Sequence, residues 1–208
     1  MSLNSLILGS KSPSRRLLLT EAGIPFEVAP QSADESACDW GLPLEELVQS
    51  IALFKMDHVI LEPGKREGEI AFVLTADTLS QDLNGLPSGK PTSREDAISK
   101  LRAAREGTRL CTAFCLDRKV WKSEAWIVEK RIEQTVESWY QFVVPEEWID
   151  RYLEHSLGMT ASNAIAIEGY GGQFLRYVKG SYTTIVGLPM QELREALESI
   201  GFFANSSL

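Results

Sequence analysis

Histidine and cysteine are scarce in this chain, with two histidines and three cysteines among 208 residues. The cysteines (Cys38, Cys111 and Cys115) are odd in number and widely spaced, which argues against a disulfide framework. Cys111 and Cys115 have no CxxC partner, so zinc is not expected, and buried free thiols are. Long apolar runs are missing as well. No window approaches the roughly 20 apolar residues of a membrane-spanning helix. The N-terminus lacks a basic segment followed by a long apolar one, so no signal peptide is expected. Positive charge is in deficit: the net charge of -8 gives a general nucleic-acid binder no basic face, although a local basic pocket is compatible with it. The Walker pattern GxxxxGK[ST] is absent. These absences point to a protein of a reducing compartment, the cytoplasm, with neither a membrane nor a nucleic acid as partner.

What is present is enough for a packed core. Composition is 44% apolar and 24% charged, ordinary for a globular protein, and the length fits one large domain or a domain of two lobes. No repeat, low-complexity tract or linker divides it. The central stretch is Ile70-Ala-Phe-Val-Leu74, an expected buried strand, followed by Thr75-Ala-Asp-Thr78 and a turn at Asn84-Gly85. Asp77 is expected at the strand's C-terminal end, a common place for chemistry in α/β folds. The turn is expected to bring Lys90, in Ser88-Gly-Lys-Pro91, back towards the start of the hairpin. A carboxylate and an ammonium facing one cleft would suit magnesium and a polyphosphate. The plainer reading is a solvated hairpin with a surface salt bridge.

Two further stretches carry candidates. Ser5–Leu8 reads as a strand, Gly9-Ser-Lys-Ser12 as a loop, and Ser12-Pro13 as a helix start running to Gly23. Strand, polar loop and helix N-terminus form the general plan of an anion site. Ser10, Ser12 and Lys11 offer donors there. Arg15 in the first turn opposes the helix dipole, which a bound phosphate would explain and plain solvent exposure equally well. Phe26–Ala29 reads as a strand, and an acidic loop follows in which Asp34 and Glu35 could hold a metal ion or simply be solvated. A helix from Leu44 has the stripe Leu44, Leu47, Val48 and Ile51, and Lys55 falls on it. An inward lysine needs a partner or ligand, unless it snorkels at the helix end. His58 and His155 read as contacts at helix ends.

Further on, Thr92 or Ser93 caps a helix that closes at Gly107, and Thr108–Leu116 reads as a strand. Trp126–Phe142 reads as one long or two shorter strands, with Trp126, Val128, Lys130, Ile132 and Gln134 on one face. Pro145 starts a helix. Thr160–Gly172 is expected as a loop centred on Glu168-Gly-Tyr-Gly-Gly172. Phe174–Val178 and Ser181–Val186 are expected to be extended, and a last helix carries Leu193, Ala196, Leu197 and Ile200. The order argues for an α/β or α+β fold around a mixed, extended sheet.

With those residues in view, the chain resembles the Maf family of nucleoside triphosphate pyrophosphatases over almost its whole length. Leu8-Gly-Ser-Lys-Ser-Pro-Ser-Arg-Arg-Leu-Leu-Leu19 resembles the family's opening LASxSPRRxELL. Asp34-Glu35, Lys55, Ala76-Asp-Thr78 with Gly89-Lys-Pro91, Glu168-Gly169, and Gly180-Ser-Tyr182 with Gly187-Leu-Pro189 follow in the family's order. The resemblance implies one Maf-like domain over 1–208, two lobes of a mixed elongated sheet flanked by helices, and a central cleft similar to that of inosine triphosphate pyrophosphatases. It implies hydrolysis of a nucleoside triphosphate to monophosphate and pyrophosphate with Mg2+ or Mn2+. By matched position, Asp77 and Glu35 are the expected catalytic and metal-holding carboxylates. Ser10, Ser12, Arg15, Lys55 and Lys90 are expected on the phosphates, and Glu168 on the substrate. A homodimer is an arrangement common in the family, and Trp121, Trp126 and Tyr140 could line an interface as easily as a core.

The departures carry information. Ser14 replaces the first arginine of the family's pair, and Leu110 stands where many members have histidine. The family's KAGAYGIQG is here Ala161-Ser-Asn-Ala-Ile-Ala-Ile-Glu-Gly169. The branch acting on dTTP and UTP usually keeps those residues, whereas the branch acting on 7-methyl-GTP also lacks them. A glutamate suits a base carrying donors or positive charge, so the resemblance leans to 7-methyl-GTP, with dTTP/UTP as the alternative. A further alternative is a catalytically weak member that binds nucleotide or a partner and restrains septum formation or cell division.

Overall fold

The computed structural model describes residues 4–81 and 83–204. The chain forms β1 (Leu6–Leu8), α1 (Pro13–Glu21), β2 (Phe26–Val28), α2 (Leu44–Asp57), β3 (Ile70–Gln81), β4 (Pro87–Ser88) and α3 (Arg94–Ala103). After these come β5 (Thr108–Lys122), β6 (Ala125–Phe142), α4 (Ile149–His155), β7 (Leu175–Lys179), α5 (Tyr182–Val186) and α6 (Met190–Ser199). The strands make one seven-stranded mixed sheet in the order β2-β1-β3-β5-β6-β7, with β4 on β3. β1 is parallel to β2 and β3; the other pairings are antiparallel. The expected mixed α/β sheet flanked by helices is therefore present. No described helix is long and apolar enough to cross a membrane.

Both faces of the sheet are covered, which is why β3 reads as a near-continuous apolar run. Phe72, Leu74 and Ala76 belong to the main core with α1, α4 and α6 residues such as Leu19, Tyr152 and Leu197. Ala71 and Val73 pack with Met56, and Leu79 packs with Leu44, Leu47, Val48 and Ile51 on the α2 side. Period two thus puts Asp77 on the face that α2 covers. β3 does not stop at Asp77, where the sequence predicts its end. It continues to Gln81 because β5 pairs with it through Ser80. The first charge in the run marks a change of neighbours instead. Leu74 pairs with Leu8 and Ser80 with Ser88, and between them that edge of β3 has no strand partner among the described residues. The cleft opens at this gap.

Other expectations hold or shift for local reasons. Ser12 caps α1 with Pro13 in its first turn, and Ser93 caps α3. β6 is one strand, but a bulge opposite Arg118 and Lys119 shifts its register. Trp126 and Val128 therefore pair with Trp121 and Lys119, on the face of Arg131 and Glu133 rather than that of Lys130 and Ile132. Ser181–Val186 is not extended: Tyr182–Val186 is the short helix α5. Its β-branched residues suggest a strand, yet burial of Thr184, Ile185 and Val186 and a hydrogen bond from Thr112 Oγ1 to Thr184 O (2.7 Å) set the conformation. The helix at Pro145 begins as a 3-10 turn, and the 3-10 turns Gly158–Thr160, Ser162–Ala164 and Gly169–Phe174 overlap the loop expected over Thr160–Gly172. Cys111 and Cys115 are buried free thiols, whereas Cys38 is half-buried. Tyr140 lies in the core, and Trp121 and Trp126 meet edge to face.

Candidate active site

The gap beside β3 leads into a cavity of about 720 Å³. Ser10, Ser12, Arg15, Glu35, Lys55, Asp77, Lys90 and Glu168 line it, whereas Asp34 does not and instead accepts from Ser36 N and Oγ. They come from five stretches that the fold brings together: the β1–α1 loop, the loop before α2, α2, the β3–β4 hairpin and the segment before β7.

The β1–α1 loop can lie close to β3 because residue 9 is glycine. A Cβ there would stand 2.6 Å from Val59 Cγ2 and 2.9 Å from Thr75 Cγ2. Ser10 and Arg15 follow from that approach. Arg15 is 8% exposed, with Nε donating to Gly187 O (2.9 Å) and the terminal nitrogens to Ser10 Oγ (3.2 Å) and Thr78 Oγ1 (3.1 Å). Gly187 has φ +127°, a conformation that suits glycine and turns its carbonyl to this role. Burial pushes the Arg15 guanidinium below its ordinary value, against the attraction of Asp77 and Glu35. An anion in the cavity would relieve that desolvation.

Lys55 closes the apolar stripe of α2 and is 7% exposed. Its Nζ lies 2.6 Å from Asp77 Oδ1 and 2.8 Å from Glu35 Oε1. The sequence suggests Lys90 as the partner of Asp77, but Lys55 takes that place. An ammonium has three donors, so one remains. Asp77 Oδ2 is buried without any hydrogen-bond partner among the described residues. A buried carboxylate oxygen left open is costly unless something else meets it. Lys90 is exposed and makes no ion pair with another described residue. Glu168 Oε1 accepts from Ser14 Oγ at 2.5 Å. Two of the departures noted in the sequence, at Ser14 and Glu168, thus meet in space.

The donor set fits a divalent cation. Of the three carboxylates lining the cavity, Glu35 and Asp77 meet at Lys55, Asp77 keeps an unpartnered oxygen among the described residues, and hard oxygen ligands suit Mg2+ or Mn2+. A second group of metal-capable side chains, Glu45, Cys111 and Glu137, lies outside this cavity. Arg109 bridges its two carboxylates, and burial pushes the Cys111 thiol up to about 11, so that cluster is accounted for as an arginine clamp.

Sequence reasoning missed Gln31, Trp40, Thr78 and Ser162 in the lining. Thr78 was legible as a neighbour of Asp77. The others sit in loops whose placement depends on long-range packing.

A mixed α/β sheet opening onto a cleft that sets cations and an unsatisfied carboxylate side by side defines a protein able to take a polyanion. Comparison with known proteins gives the family. The chain belongs to the Maf family, described as Maf-like protein, which matches residues 5–200. It is similar to a protein of Anaeromyxobacter sp. (strain Fw109-5) named dTTP/UTP pyrophosphatase, 35% identical over 94% of this chain and 89% of the relative. A protein of the same name from Pelotomaculum thermopropionicum is 31% identical, over 96% of this chain and 98% of its own. Another, from Bdellovibrio bacteriovorus, is 31% identical over 93% and 97%.

Proposed function

We propose that this chain is a nucleoside triphosphate pyrophosphatase, adding water and breaking the bond between the α- and β-phosphates to release monophosphate and pyrophosphate. The observation that carries the reading is Asp77: one oxygen bound to Lys55, the other unpartnered, in a cavity that Arg15 and Lys90 also line. Triphosphate cleavage is mostly positioning and charge neutralisation, which is what such a lining supplies. Ser10, Ser12 and Arg15 bind phosphate oxygens at the start of α1, with Lys90 from the hairpin. Lys55 orients both carboxylates and turns its third donor to the substrate. Asp77 and Glu35 would hold Mg2+ or Mn2+. Bound there, the ion supplies positive charge against the phosphates and makes a water more acidic. Asp77 is also the base available to an attacking water. The family name of the relatives supports the same reaction. Action on free nucleotides in the cytoplasm, by a homodimer of single-domain chains, belongs to the same proposal.

For the base, two observations pull apart. The relatives' names favour dTTP and UTP. The carboxylate of Glu168, held by Ser14, favours a base with donors or positive charge, such as 7-methylguanine. A pyrophosphate-release screen over natural and modified triphosphates, with Mg2+ or Mn2+, tests both. Turnover of any one supports the reaction, and the best substrate decides the base. Binding without turnover would replace the enzyme by a nucleotide-binding regulator of septum formation or cell division.

A further inference from the structure

The phosphate-facing groups leave open what holds the base. We infer that Trp40 is the stacking platform on which the nucleobase lies, an inference that rests on the nucleotide reading above. Trp40 is the only aromatic residue among the described residues lining the cavity, and 41% of it is exposed. Apolar surface left open beside a polar cleft needs an explanation, and a planar ligand provides one.

The indole is held as a platform would be. Its Nε1 donates to Glu35 O at 3.1 Å, so one ring edge is fixed to the loop that carries a candidate metal-holding carboxylate. On either side, Cys38 and Leu42 pack against the α2 core. Asp39 Oδ1 accepts from Gly41 N (3.0 Å) and Asp39 O accepts from Leu42 N (3.3 Å), closing a tight turn around Trp40. The chain is thus anchored before and after Trp40, and the side chain between the anchors is the part left in the cavity. Gln31 lines the cavity as well. Its side-chain oxygen accepts from Ala33 N (2.7 Å), which leaves its amide N–H groups without a partner among the described residues. Such donors match an acceptor on the edge of a base, a carbonyl oxygen or a ring nitrogen.

The test compares wild type, Trp40→Phe and Trp40→Ala. For each, kcat and KM are measured on the best nucleoside triphosphate, and inorganic tripolyphosphate serves as a base-free competitor. Loss of a base stack is expected to raise KM roughly tenfold in Trp40→Ala, with kcat little changed and Trp40→Phe close to wild type. The inhibition constant of tripolyphosphate should not move, because it has no base to stack. An unchanged KM in Trp40→Ala overturns the inference while leaving the enzyme reading intact. An equal loss for nucleotide and tripolyphosphate also overturns it, since the whole loop would then have moved. If wild type turns over no nucleotide, quenching of tryptophan fluorescence by the same triphosphate decides instead, with Trp40→Phe losing the quench. No nucleotide binding at all removes this inference together with the function it rests on.

Discussion

Two aspartates on neighbouring strands of the sheet are buried against cations, and they differ in what is left over. Asp117, on β5, is fully buried. Both of its oxygens are taken: Arg131 Nε meets Oδ1 at 2.7 Å and a terminal nitrogen meets Oδ2 at 2.8 Å, with Lys119 Nζ 3.4 Å away. Asp77, on β3, has one oxygen on Lys55 and the other on no described residue. Hydrogen bonding to Asp117 pushes the Arg131 pKa up, so that pair is mutually satisfied. Arg15, near Asp77, is pushed the other way by burial. The first arrangement is a closed brace, tying β5 and β6 together and, through Asp57, the end of α2. The second has unused valence in a cavity. Burial of a charge by itself does not separate a site from a brace; the count of unmet bonds does.

The sharpest way to break this comparison is Asp77→Asn. Loss of a negative charge that nothing else in the cavity replaces should cut turnover on the order of 10²–10³-fold. The melting temperature should fall less than in Asp117→Asn, because Glu35 still pairs with Lys55 and the unpartnered Asp77 oxygen is removed with the charge. Steady-state kinetics and a thermal scan check both halves. Near-wild-type turnover would end the distinction. Asp117→Asn should do the reverse. It removes one partner of a buried pair and leaves Arg131 only partly solvated, which should cost about 3 kcal/mol. For a chain of this size that lowers the melting temperature by roughly 6–12 °C. Turnover per folded molecule below the transition should match wild type.

Much of this contrast was legible before the fold was known, but unevenly. Lys55 could be singled out because helical spacing put it on an apolar stripe, and it is buried there. Arg15 could be singled out because a cation in a helix's first turn conflicts with the dipole, and its side chain meets Ser10 and Thr78 in the cavity. These are local conflicts, visible wherever a residue breaks the rule of its own element. The partner of Asp77 was not legible. The hairpin spacing suggested Lys90, but pairing across a sheet face depends on which helix covers it, and α2 covers this one. The bulge in β6 and the helix at Tyr182–Val186 were missed for the same reason. Trp40 was passed over because no periodic signal marks a loop residue.

Lys90→Ala gives a smaller effect and sharpens the account of the open pair. Lys90 is exposed and outside any ion pair with a described residue, so its removal should not disturb Asp77 and Lys55. Loss of one phosphate contact should cost about tenfold in kcat/KM, about 1.4 kcal/mol, shared between affinity and rate. Unchanged kinetics would put Lys90 outside the site although it lines the cavity.

The smallest effect lies on the closed side. Burial pushes the Cys115 thiol up to about 12, and Asp117, within reach of its Sγ at 3.9 Å, adds to the rise. The folded state therefore keeps a proton that the unfolded chain gives up near the ordinary value of 9.0. Below that pH the thiol has no effect on stability. Above it the unfolded state binds fewer protons than the folded one, so stability falls as pH rises towards the folded value. The slope contributed by one such thiol is at most about 1.4 kcal/mol per pH unit. Other buried groups titrate in the same range, Tyr152 among them at about 12. The measurement is therefore a difference: Cys115→Ala against wild type, in stability from pH 8 to pH 10.5 by urea titration. The variant should start lower from its lost packing and lose less as pH rises, so that the two lines converge. Parallel lines would mean that Cys115 titrates alike in both states, and that the Asp117 brace is wetter than its burial implies.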